Sequence, residues 1–114
     1  MSSSDETVQQ QIAALRIAYV QQLPHRLDEI YAVLEAWLKS QTAAQLFTFY
    51  RLTHNLAGSG AIYGFKEITE KARAVEHLVT PWVENKTQAM PDDLERLRAY
   101  LAELEATLRH TTCG

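Results

Sequence analysis

Apolar residues recur at spacings of three and four along almost the whole chain, and such a pattern admits little except packed helices. After a polar start, Val8, Ile12, Leu15 and Tyr19 form one series, and Leu27, Ile30, Leu34, Trp37 and Leu38 form a second. Pro24 lies between them. A proline ends a helix or sits near the start of the next, so the pattern predicts two helices divided there. Thr42 followed by Gln45 has the spacing of a capping box and predicts the start of a third helix. Its apolar stripe is Leu46, Phe49, Leu52, Thr53, Leu56, Gly60 and Tyr63, and Gly64 suits its C-terminal cap. Phe65, Ile68, Ala72, Val75 and Val79 mark a fourth helix, which Pro81 kinks or ends. A polar loop at Asn85-Lys86-Thr87-Gln88 follows. Pro91-Asp92-Asp93 opens a fifth helix, where Leu94, Leu97, Leu101, Leu104 and Leu108 keep a/d spacing. No strand pattern is visible. The expected fold is all-α: an antiparallel up-down four-helix bundle with an additional N-terminal helix laid against it. One domain is expected over 7–110, with a flexible N-terminus at 1–6 and a flexible C-terminus at 111–114. A single domain of 114 residues would have a radius of gyration of about 13 Å.

Several function classes drop out on charge and cysteine. Lys+Arg 11 against Asp+Glu 14 gives a net charge of −3, which lacks the basic footprint of a nucleic-acid binder. The lone cysteine, Cys113, rules out an internal disulfide framework and a Cys-rich zinc site. No basic-then-apolar leader opens the chain, and no apolar run approaches a membrane span. A cytoplasmic protein with no membrane contact is the expectation. No Glu-x-x-His pair exists, so a di-iron bundle is excluded and no metal site is expected. His25, His77 and His110 read as solvated surface residues, and Trp37 and Trp82 as core.

Three of the four glycines, Gly58, Gly60 and Gly64, fall within seven residues. Tyr63 stands where G-x-G-x-x-G needs its third glycine, so a nucleotide loop is excluded. On a wheel of about 100° per residue, the apolar stripe centres roughly 145° from His54. His54 therefore points outward, beside Phe47, Tyr50, Arg51, Ala57, Gly58 and Ala61. A merely solvated face would carry more Glu, Lys and Gln, so small residues with two aromatics read as a docking surface. Helical side chains lean toward the N-terminus, and glycine at 58 leaves the His54 ring uncovered. Gly60 points inward and would let a neighbouring helix approach.

The run His54-Asn55-Leu56-Ala57-Gly58-Ser59, then Gly64, Ile68, Val75 and Glu76, resembles the histidine-containing phosphotransfer domains of two-component phosphorelays. The Leu23-Pro24 junction also looks like family usage, and the resemblance runs roughly from residue 19 to residue 79. It implies that His54 is a phosphoacceptor, taking a phosphoryl group from a receiver-domain aspartate and passing it to another receiver. It implies a receiver-docking surface at Phe47, Tyr50, Ala57, Gly58 and Ala61, and a helix end at Gly64. Glu76 occupies the place of a supporting acid. The partners implied are response-regulator receiver domains or a hybrid histidine kinase, with Mg²⁺ brought by the receiver and no cofactor on this chain. Such a domain is a carrier without turnover of its own. One departure stands out. The family usually has lysine three residues after the histidine, and this chain has Ala57. Arg51, one turn before His54, is the available counter-charge in the phosphate environment with Ala57 and Gly58. The departure also fits an alternative: an interaction module that binds a receiver or kinase without phosphotransfer. An imidazole is largely neutral near pH 7, which leaves a ring nitrogen free to attack.

Overall fold

The computed structural model describes residues 3–85 and 87–113. Met1, Ser2 and Gly114 of the expected tails, and Lys86 of the expected loop, lie outside the described residues. Four helices make up the described chain: α1 (Ser3–Ser40), α2 (Ala43–Ile62), α3 (Lys66–Glu84) and α4 (Pro91–Cys113). Helix thus runs through 3–6 and 111–113. α1 packs against α2 and α4, and α3 against the same two, so the helices close a ring around one core.

Two prolines expected to divide or end helices lie inside them. Pro24 is within α1 and Pro81 within α3. An interior proline forfeits one backbone hydrogen bond and crowds the carbonyl four residues earlier. Packing offsets that cost here. Tyr19, Leu23, Leu27, Ile30, Leu34 and Trp37 are all buried at spacings of four, four, three, four and three. The stripe runs through Pro24 without losing phase, so a continuous helix buries every one of these side chains. Beyond Pro81, Trp82 reaches the core and stacks on Trp37 with centroids 5.8 Å apart.

The remaining termini follow local chemistry. Thr42 and Gln45 form the full capping box at the start of α2. At its end Gly64 has φ +81°, with Phe65 N–H donating to Gly60 O at 2.7 Å and Gly64 N–H to Ala61 O. This is a Schellman cap, which needs a left-handed residue and so favours glycine. At α4, Met90 N–H donates to the Asp93 carboxylate at 3.1 Å, ahead of Pro91. Side chains then tie α1 in place. Tyr19 shares a hydrogen bond with Ser59 at 2.9 Å and stacks on Tyr63 and Phe65. Further along, the Tyr31 hydroxyl donates to Glu105 of α4 at 2.8 Å.

The molecule is longer than expected. Its radius of gyration is 16.3 Å and its extents are 57 × 26 × 19 Å. A 38-residue helix rises about 57 Å, so α1 alone sets the long dimension. Residues 5–18 of α1 are all exposed, although Arg16 still lies over the ring of Phe65 at the start of α3. Val8, Ile12 and Leu15, which belong to the apolar series that predicts the first helix, are among them.

Candidate functional site

His54 sits mid-way along α2 with its side chain 61% exposed. Its Nδ1 lies 2.7 Å from Oε2 of Glu76, a residue of α3 whose side chain is only 13% exposed. The stripe Ile68, Ala72, Val75 and Val79 presses α3 onto the core, and Glu76, next to Val75, comes to the edge of the α2–α3 seam. A carboxylate taken mostly out of water needs a donor, and the imidazole supplies it. Carboxylate oxygens only accept, so Nδ1 carries the hydrogen. In a neutral ring the lone pair is then on Nε2. The pairing selects the tautomer and holds the ring by one edge.

The surroundings are aromatic on one side and open on the other. Tyr50, one turn before His54, stacks on its ring at 6.0 Å between centroids and 21° between planes. Phe47 lies a turn further back, 6.3 Å from the Tyr50 ring and half exposed. Partial burial, helped by the charge of the Glu76 carboxylate, pushes the Tyr50 phenol above its usual value. The phenol therefore stays a neutral hydrogen-bonding group beside the carboxylate. Arg51 is exposed and forms no ion pair among the described residues. A Cβ at Gly58 would meet nothing within 4 Å, and Ala61 is exposed on the same flank.

Ala57 is placed differently from the wheel's expectation. It is 2% exposed and belongs to the core, so it is not available as a docking residue. The reason is α3. Buried positions Leu46, Phe49, Thr53, Leu56, Ala57 and Gly60 centre about 110° from His54 rather than about 145°. α3 approaches so closely that a Cβ at Gly60 would fall 2.7 Å from Thr69 Oγ1. That hydroxyl in turn donates to Ala57 O at 2.7 Å. Gly60 thus lets α3 in, Thr69 fixes its depth, and Ala57 is covered as a result. Position 57 faces the seam, so a lysine there would have to carry its ammonium outward along a buried stem.

The structure therefore brings His54, Glu76 and Tyr50 together, leaves Arg51, Gly58, Ala61 and Phe47 on the open face, and withdraws Ala57. Thr69 has no mark in the sequence beyond its place beside the α3 stripe, because its role depends on a close approach between helices. No curated protein and no solved structure matches the chain. Residues 7–107 match the model of the Hpt domain family. Hpt domains take part in histidine phosphotransfer signalling, and this chain belongs to that family.

Proposed function

We propose that the chain is a cytoplasmic phosphocarrier built as an up-down bundle, with His54 as its phosphoacceptor. The observation that carries this reading is the 2.7 Å contact between His54 Nδ1 and Glu76 on an otherwise open face. With Nδ1 occupied as a donor, Nε2 is the nucleophile toward the phosphoryl group of a receiver-domain phospho-aspartate. The P–O bond to the aspartate breaks as the N–P bond forms, and the aspartate leaves as a carboxylate. Glu76 keeps its hydrogen bond to a ring that has become positively charged, and so steadies the product. Phosphoryl transfer depends on positioning and charge stabilisation. Mg²⁺ belongs to the receiver, and Arg51 is the cation this chain offers. The bare surface at Gly58 admits the receiver, with Phe47, Tyr50 and Ala61 as its contacts. Reversal onto a second receiver completes a relay.

Incubation with a panel of labelled phospho-receivers tests this. Acid-labile, base-stable label is expected on the wild-type chain and none on His54→Gln. Failure to label with any receiver, with the helical fold intact by circular dichroism, would favour the second reading, a docking module without transfer. The missing lysine at position 57 is the observation behind that reading.

A further inference from the structure

Glu76 holds the His54 ring by one edge only. A single hydrogen bond at Nδ1 fixes the tautomer and leaves the ring plane free to swing about that bond. What lies against the face of the ring therefore decides where Nε2 points, and Tyr50 lies there. Helical side chains lean toward the N-terminus, so the imidazole folds back over the residue one turn earlier. The two rings are 6.0 Å apart between centroids and 21° from parallel, within the range in which offset aromatic pairs attract.

Tyr50 is itself held. It is half-buried and packs on the core. Phe47 stands behind it, 6.3 Å away and tilted by 34°. Its hydroxyl end answers to Glu76: after burial, the charge of that carboxylate and a hydrogen bond with it keep the phenol protonated. The carboxylate that meets His54 Nδ1 at 2.7 Å thus also acts on the residue against the imidazole face. A ring pair one turn apart also steadies a helix, but that effect concerns the fold alone. Here one of the rings acquires charge. Once Nε2 is bonded to phosphorus with Nδ1 still protonated, the imidazole is cationic, and an aromatic face within about 6 Å attracts a cation. The attraction is stronger to the phosphorylated ring than to the neutral one.

We propose that Tyr50 is a positioning residue: its ring backs one face of the His54 imidazole, aims Nε2 outward and holds the phosphorylated ring more tightly than the free one. The proposal rests on His54 as the phosphoacceptor. It is separate from any contact that the exposed edge of Tyr50 makes with a receiver.

Phosphoramidate, a small phosphoryl donor that needs no receiver, provides the test on the full chain, with the reaction followed at His54 through its ring signals in NMR. In the wild type, proton contacts between the Tyr50 and His54 rings are expected before and after phosphorylation. The ratio of the rate of labelling to the rate of label loss should fall about two- to fivefold in Tyr50→Leu. Tyr50→Phe, which keeps the ring, should stay near wild type. With a phospho-receiver as donor, the loss in Tyr50→Leu should appear in the rate at saturating receiver and not in KM. An unchanged ratio in Tyr50→Leu that is folded by circular dichroism overturns the proposal. So does Tyr50→Phe behaving like Tyr50→Leu, and so does a loss confined to KM, which would leave Tyr50 a docking contact. The wild-type ring contacts are read without any variant, and their absence overturns the proposal as well. A His54 that does not react with phosphoramidate overturns it together with the phosphoacceptor reading. The expected ratios in a chain that no phospho-receiver labels would strike the relay alone and support the role of Tyr50.

Discussion

Glu76 acts on His54 through one hydrogen bond, and its removal separates positioning from fold. Glu76→Ala leaves the ring free to rotate and to carry its proton on either nitrogen. Loss of an orienting partner of this kind costs roughly ten- to hundredfold in activity, so the rate of label transfer from phospho-receiver should fall by about that much. Glu76→Gln can still accept from Nδ1 through its carbonyl oxygen, and should recover part of the rate. Receiver binding measured without phosphate should be unchanged in both. The glycines sort by what surrounds them. Gly58 has open space where a Cβ would go, so Gly58→Ala should stabilise the chain by about 1 kcal/mol through helix propensity. A bulky Gly58→Leu should instead fold normally and fail to bind receiver. Gly60→Ala drives a Cβ into Thr69 and should destabilise by about 1–3 kcal/mol, seen as a lower denaturant midpoint. His54, the glycines and Glu76 were legible in the sequence because their spacing is local to one helix or matches a family pattern. The covering of Ala57 was not, since it follows from how deeply α3 settles on α2.

Each helix was legible from its apolar period and its caps, and Thr42, Gly64 and Pro91 mark boundaries where the structure has them. The prolines misled, because local chemistry says they break helices and burial on both sides says otherwise. Pro24 leaves the fourth preceding carbonyl without its helical donor. Pro24→Ala restores that bond, worth about 3 kcal/mol in a helix interior, while loosening the unfolded chain by up to about 1 kcal/mol. A net gain of about 2 kcal/mol is expected by denaturant titration, with phosphotransfer unaltered. The phase of the stripe from Tyr19 through Leu23 to Leu27 is the signal that a continuous helix was available. Reading it required weighing a tertiary gain against a local penalty.

Across the whole molecule, α1 and α4 are joined by Tyr31, Glu105 and Arg109. Arg109 donates to Glu105 through Nε and Nη2 at 2.8 and 2.7 Å, and Tyr31 donates to the other carboxylate oxygen. The Arg109 bond, then the Tyr31 bond, hold Glu105 below the usual carboxylate value. Burial, then the bond to Glu105, pushes the Tyr31 phenol up to about 12 from 10.0. Between those values the folded state keeps a proton that the unfolded chain has lost, so stability falls as pH rises. The contribution is whole below pH 10.0 and gone above about 12. Chemical denaturation should therefore show the advantage of wild type over Tyr31→Phe shrinking across that window. On the acid side, the contribution of Glu105 is whole above the usual carboxylate value and fades as pH falls through its lowered one. The sequence by itself determined the helical class, the helix caps, the family and the outward face on which His54 lies, because these depend on periods, spacings and turn chemistry within a few residues. Only the tertiary structure decided that α1 is one helix projecting beyond its bundle, that Ala57 is covered, and that Glu76 meets His54. Those outcomes depend on the depth and phase at which two helices meet, and a side chain distant in sequence sets both.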